Sequence, residues 1–249
     1  AYLTTSFGQP EVAFASSDGF DAASGYEAAP GLGGAAARAS GPRPDAGRRI
    51  VLATRNRHKA EELRAILAPL LPGVAPGRIL DAGGFDIPEP VEDAVTFAGN
   101  SLIKARQLAE ATGLVALADD SGLAVDVLGG APGVFSARWC GVHGRDGDNL
   151  ELLLAQLADV PERHRGASFV CAAAMVTPDG REYVREGRMQ GRLLAEPRGA
   201  NGFGYDPIFA PEGYDVSSAE LPPGEKDAIS HRGKAFRELA GLLRAELGV

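Results

Sequence analysis

Leu114-Val115-Ala116-Leu117-Ala118-Asp119-Asp120-Ser121-Gly122-Leu123-Ala124-Val125-Asp126-Val127 is the stretch that decides how this chain folds. Two apolar runs, 114–118 and 123–127, flank four polar or flexible residues. Each run has the length and content of a buried strand. Asp, Ser and Gly favour turns, so the pattern predicts two strands joined by an acidic turn at Asp119–Gly122. Two adjacent carboxylates repel each other unless a cation compensates them. Magnesium does so in sites built from a few carboxylates, phosphate oxygens and waters. One of the pair could also take a proton from an attacking water. The plainer reading is an Asp-rich turn whose side chains satisfy backbone N–H groups.

Working outward, Ile50–Ala53 reads as a buried strand. A helix is predicted over 59–70, with Leu63, Ile66, Leu67 and Leu70 on one face. A strand follows near 78–80, and a long helix over 93–112 ends at Gly113. Downstream, Gly129–Gly133 is a rigid turn, and Asp148 is placed to cap a helix carrying Leu150, Leu153, Leu154 and Leu157. Segments 169–176 and 183–189 bracket Pro178-Asp179-Gly180 as a hairpin. Phe236, Leu239, Leu243 and Leu247 give a last helix its apolar stripe. Helices and strands alternate first and a hairpin comes later, which points to an α/β fold with a mixed twisted sheet flanked by helices.

The chain has 249 residues, 45% hydrophobic and 23% charged, which is ordinary soluble composition. Its formal charge of −8 argues against broad nucleic-acid binding, although a local cation cluster suffices for a phosphate. No run approaches the roughly 18 apolar residues of a membrane span. A secretory signal pattern is absent as well, so no membrane association is expected. Cys140 and Cys171 have neither metal-ligand spacing nor the number for a disulfide framework, which points to a reducing, cytoplasmic compartment. Residues 1–48 are rich in Gly, Ala, Ser and Pro, contain no Lys, and show no hydrophobic period. They read as a disordered or non-native extension preceding one domain over 49–249.

Four further clusters could carry chemistry. Thr54-Arg55-Asn56-Arg57-His58-Lys59 sits between a strand and a helix, where backbone N–H groups and cations bind anions; it is not the Gly-rich Walker pattern. Glu89-Pro90-Val91-Glu92-Asp93 offers Glu92 as a second carboxylate for a metal, with Lys104 later to neutralise the acidic centre. Gly202-Phe203-Gly204-Tyr205-Asp206-Pro207 lets backbone approach a ligand while an aromatic ring stacks on a base. Lys226, in the stretch before the last helix, can reach phosphate, and His231 and Arg232 offer donors to a base carbonyl. Each has a bland counterpart: a capped helix start, an acidic helix N-terminus, a tight turn, and a Ser230-capped helix.

Taken in order, Thr54, Asn56 and Lys59, then Thr96-Phe97 with Asn100 and Lys104, then Asp119-Asp120-Ser121-Gly122-Leu123, make one series. It continues through Gly130-Ala131-Pro132-Gly133 with Ser136-Ala137-Arg138, Gly202–Pro207 and Ser230-His231-Arg232. This series resembles the inosine triphosphate pyrophosphatase family, the dITP/XTP pyrophosphatases, over residues 50–247. The resemblance implies two lobes with the active-site cleft between them and a homodimer. It implies Mg²⁺-dependent cleavage of purine nucleoside triphosphates (ITP, dITP, XTP) to the monophosphate and pyrophosphate.

By position it makes Asp120 the general base and a metal ligand, Glu92 the second ligand, and Asp119 and Lys59 supporting catalytic groups. Thr54, Arg55, Asn56, Arg57, His58 and Lys59 would hold phosphates, and Ser121 the substrate. Phe203, Gly204, Tyr205 and Asp206 would hold base and sugar, and Lys226, His231 and Arg232 would complete the pocket. The third position of the family's first motif is often small, whereas here Arg55 and Arg57 surround Asn56, and Val91-Glu92-Asp93-Ala94 stands where the family commonly has Glu-Glu-Thr-Gly. The alternatives are a related pyrophosphatase for modified pyrimidine nucleotides and a non-catalytic nucleotide-binding module.

Overall fold

Described over residues 49–249, the computed structural model runs β1 (Ile50–Leu52), α1 (Arg57–Leu67), β2 (Ile79–Asp81), α2 (Phe97–Thr112) and β3 (Val115–Val125). It continues through α3 (Asp146–Gln156), β4 (Gly166–Val176), β5 (Glu182–Leu193), β6 (Phe209–Pro211), α4 (Pro223–Ile229) and α5 (His231–Leu247). The extension read at residues 1–48 lies outside the described residues.

Six strands form one sheet in the order β2-β1-β3-β4-β5-β6. β2, β1 and β3 run parallel, and β3 through β6 pair antiparallel, so the expected mixed sheet is present. The expected acidic turn is not. β3 passes straight through Asp119–Gly122, pairing with β4 from Ala116↔Val176 to Val125↔Ala167. A long antiparallel ladder overrides the turn preference of Asp, Ser and Gly, because strand propensity yields to cross-strand packing.

Three cores hold the sheet. Leu117, Cys171, Ala173 and Met175 pack under Leu63, Leu67, Phe236, Leu239 and Leu243 of α1 and α5. On the opposite face Ala116, Ala118 and Ala174 pack under Ala105 and Leu108 of α2. The far ends of β3 to β5 carry a separate core with Leu150, Leu153, Tyr205 and Phe209.

Several boundaries shift for local reasons. α1 starts at Arg57 because Asn56 caps it by accepting from Lys59 N–H, and it gives way to a 3-10 turn at Ala68–Leu70 around Pro69. The second strand is 79–81 rather than 78–80. α2 begins at Phe97 rather than 93, capped by Thr96, and ends as expected on left-handed Gly113. Asp148 does not cap α3; it lies in the first turn, paired with Arg145 at 2.6 Å. β4 and β5 both run beyond the predicted hairpin segments. β6 and α4 were not anticipated, although Pro at the start of α4 is a recognised helix-opening residue.

One consequence of this topology positions the site. On β3 the backbone groups of Leu117, Leu123 and Val125 point away from β4. Leu117 O accepts from Ala53 N–H at 2.7 Å, and Val125 N–H donates to Ala131 O at 3.0 Å. Leu123 N–H donates to Ser136 Oγ at 2.9 Å. Between β1's end and the loop carrying Ser136, this edge of β3 is open, and Asp119 and Ser121 lie on it. Crevices of this kind, beyond the carboxyl end of a parallel strand, are where α/β sheets take ligands.

Candidate active site

Successive residues on a strand face opposite ways, so Asp119 and Asp120 lie on opposite faces of the sheet. Their partners confirm it. Asp119, 2% exposed, takes Lys59 Nζ at 2.9 Å and Arg232 Nε at 3.0 Å, from the α1 and α5 side. Asp120 takes Asn100 Nδ2 at 3.0 Å and Lys104 Nζ at 3.4 Å, both from α2. The mutual repulsion expected of two turn carboxylates is therefore relieved by separation onto opposite faces and by the nearby cations Lys59, Lys104 and Arg232.

The two acids differ electrostatically. Burial alone would raise the Asp119 carboxyl, but Lys59, Arg232 and Lys104 outweigh it and hold it far below the carboxylate range. For Asp120 burial wins over Lys104 and Asn100, and the carboxyl sits above its ordinary value. Lys104 is shared. Its Nζ also lies 2.9 Å from Glu92, and Asp120 and Glu92 keep it charged against the effect of burial. Asp120 and Glu92, from two different elements, thus converge on one position that already holds a positive charge. Their oxygens are the donor type magnesium prefers, with substrate phosphates and waters completing its shell. No group of three or more His, Cys, Asp or Glu suited to a metal occurs among the described residues.

On the Asp119 face Arg232 anchors a network. Besides Asp119 it donates to both oxygens of Glu62, at 2.8 and 2.7 Å, and to Ser121 Oγ at 3.1 Å. Glu62 was not singled out from the sequence, although it falls three residues after Lys59 and so on the same helix face.

A cleft opens beside this network. Ser121, Phe203, Gly204, Tyr205, Asp206, Lys226, His231 and Arg232 all line it, so these expected site residues do come together. Phe203 is 52% exposed, with Lys226 Nζ 5.7 Å and Arg232 Cζ 6.0 Å from its ring centre, so an aromatic surface and two cations share the cleft. Lys226 is held at 2.6 Å by Asp206, whose carboxylate also accepts from Phe203 N–H. This pairing places Lys226 at the aromatic loop. Tyr205 is largely a wall residue, and its hydroxyl donates to Ser136 O at 2.9 Å.

His231 is buried and stacked on Phe169, with ring centres 5.0 Å apart. Burial and the neighbouring Arg232 push its imidazole well below its ordinary value, so it is neutral, with one donor and one acceptor nitrogen. Its Nδ1 has no hydrogen-bond partner among the described residues. Asp146, not anticipated, also lines the cleft and accepts from Gly204 N–H at 3.1 Å. Gly122 is required here: a β-carbon would strike Ser136, on the loop that closes this wall.

The first segment divides. Lys59 reaches Asp119, whereas Arg55 donates to Ile87 O and Arg57 pairs with Glu61 at 3.1 Å. Thr54, Arg55 and Arg57 line a second cleft on the other side of α1, with Arg64 and Asp81. Asn56 serves as the helix cap, and His58 is exposed.

Comparison with known proteins identifies the family. The Ham1 family model matches residues 50–242. A dITP/XTP pyrophosphatase of Streptomyces avermitilis is 59% identical over 200 residues, covering 80% of this chain and 99% of the relative. One from Streptomyces coelicolor is 58% identical, covering 80% and 99%. A crystal structure described as nucleoside-triphosphatase / dITP/XTP pyrophosphatase from Mycobacterium abscessus is 50% identical with a TM-score of 0.63, covering 78% of this chain and 98% of that one. A HAM1 protein from Coxiella burnetii is 40% identical with a TM-score of 0.71, covering 79% and 98%. With the family model matching residues 50–242 and these relatives covered over nearly their whole length, the chain belongs to the Ham1 family.

Proposed function

We propose that this chain hydrolyses the 6-keto purine nucleoside triphosphates ITP, dITP and XTP to the monophosphate and pyrophosphate, removing them from the nucleotide pool. The observation that carries the reading is the open edge of β3, with a carboxylate centre on one face and an aromatic, cation-lined cleft on the other. Dedicated dITP/XTP pyrophosphatases among the relatives support it.

The chemistry follows from the placement of the groups. Asp120 orients the attacking water and takes its proton. Asn100 fixes the Asp120 carboxylate, and Lys104 keeps it and Glu92 facing one point. Asp120 and Glu92 would hold magnesium, which would supply positive charge to offset that of the phosphates. Lys59 sits at the capped start of α1, where its ammonium and the helix N–H groups meet phosphate oxygens, and Asp119 holds it there. Asn56 caps the helix that carries Lys59, His58 is exposed beside it, and Thr54, Arg55 and Arg57 give positive and polar surface to the second cleft across α1. Arg232 supplies charge on the cleft side.

In the cleft, Phe203 stacks on the base while Gly204, Tyr205, Asp206 and Lys226 frame it. Donors from His231 and Arg232 pair with the oxygen at position 6. Adenine presents an amino group there, and a site built to bond one group can reject its replacement by about 10⁴-fold. His231→Ala is expected to lower the ITP-over-ATP preference by about tenfold or more, read as the ratio of kcat/KM values. An unchanged ratio would remove His231 from base reading.

In this reading the enzyme is a cytoplasmic homodimer acting on free nucleotides, not on nucleic acid or at a membrane. The formal charge of −8 and the free thiols Cys140 and Cys171 support the compartment and the choice of free nucleotides. No helix among the described residues is long and apolar enough to cross a membrane. The homodimer follows from the family resemblance.

A further inference from the structure

Ser121, Cys171 and Gly187 are register partners across β3, β4 and β5, so they form one row on the Asp119 face of the sheet. The row is made of small residues. The next row, Leu123, Phe169 and Met189, is large.

The first turn of α5 lies in the trough that the small row leaves. A β-carbon at Gly187 would run into the His231 carbonyl oxygen, and would come within 2.6 Å of the Ala235 amide nitrogen and 2.9 Å of Lys234 Cβ. At the other end of the same row, Ser121 Oγ accepts from Arg232 at 3.1 Å. Cys171, between them, is fully buried. His231 lies against Phe169 of the large row, with the two ring planes 14° apart.

Glycine inside a strand weakens it and calls for a reason. The backbone supplies none, since Gly187 is not among the residues with positive φ. The close approach of α5 does. We infer that Gly187 is a positioning residue for base recognition: its missing side chain sets the depth at which α5 meets the sheet, and so where His231 and Arg232 enter the cleft. The inference rests on the base-reading role proposed above for those two residues.

The test compares kcat/KM on ITP and on ATP for wild type, Gly187→Ala, Cys171→Val and Gly241→Ala. The ratio of the two values does not depend on how much of the protein is folded, so mere destabilisation leaves it unmoved. Cys171→Val raises the same row on the neighbouring strand and keeps the test available if Gly187→Ala folds poorly. Gly241→Ala is the control, because it lies on α5 where an added β-carbon meets nothing within 4 Å.

The expected result is a drop of about tenfold or more in ITP preference for Gly187→Ala, a change in the same direction for Cys171→Val, and a wild-type ratio for Gly241→Ala. A wild-type ratio in both row variants would overturn the inference while leaving the functional reading intact. A wild type with no ITP preference would instead remove the reading itself, and the inference with it.

Discussion

Asp120→Asn is expected to lower kcat on ITP by about 10²- to 10⁴-fold, the usual contribution of a positioned general base. If Asp120 also carries the metal, the loss falls at the upper end of that range. The fold should survive. Asparagine has the same shape, and its amide oxygen can still accept from Asn100 Nδ2. Lys104 keeps Glu92 as its partner at 2.9 Å. Burial already disfavours the charged form of Asp120, so removing the charge does not take away a net stabilising ion. Thermal or urea unfolding should place the variant within about 1 kcal/mol of wild type. Retention of wild-type kcat would remove Asp120 from the chemistry. A collapse in stability would mean that its role is structural.

Arg232→Ala should have the opposite signature, losing stability as well as activity. Arg232 is 3% exposed and compensates two carboxylates at once, Asp119 at 3.0 Å and Glu62 at 2.7 Å. Truncation would leave Asp119 buried with Lys59 as its remaining direct cation partner and strand Glu62. Breaking a buried pair from one side costs about 3–5 kcal/mol. The same change removes a base-reading donor, so the folded fraction should also show weakened ITP preference. Arg232→Lys keeps the charge but not the geometry of the guanidinium fork, and should recover stability more than selectivity. A loss below about 1 kcal/mol for the alanine variant would show that the network carries little of the fold.

The contrast between these two substitutions reflects what could and could not be read from sequence. Apolar periodicity was sufficient for α1 and α5, because Leu63, Leu67, Phe236, Leu239 and Leu243 each face one core. The chemistry-bearing residue types were equally visible as clusters. What the sequence hid was the course of β3. Asp119–Gly122 has turn composition, and its compensation comes from Lys59, Lys104 and Arg232, up to 113 residues away along the chain. A local reading sees two carboxylates in need of one cation. The folded chain instead places them on opposite faces, with Lys59 and Arg232 in contact with one and Lys104 with the other.

The same limit explains Glu62 and Asp146, whose roles exist only through contacts with Arg232 and Gly204. It also explains Gly187, a strand glycine whose meaning is the helix lying on it. That Arg55 and Arg57 line a second cleft is of this kind too, since it depends on which side of α1 they leave from.

The most direct test of the account is a nucleotide panel assayed on the purified protein, with and without Mg²⁺, in which the released phosphate species is identified. The expected products are pyrophosphate and the monophosphate from ITP, dITP and XTP, with little turnover of ATP and loss of turnover when Mg²⁺ is chelated. Orthophosphate as the product, equal turnover of ATP, or activity indifferent to Mg²⁺ would contradict it.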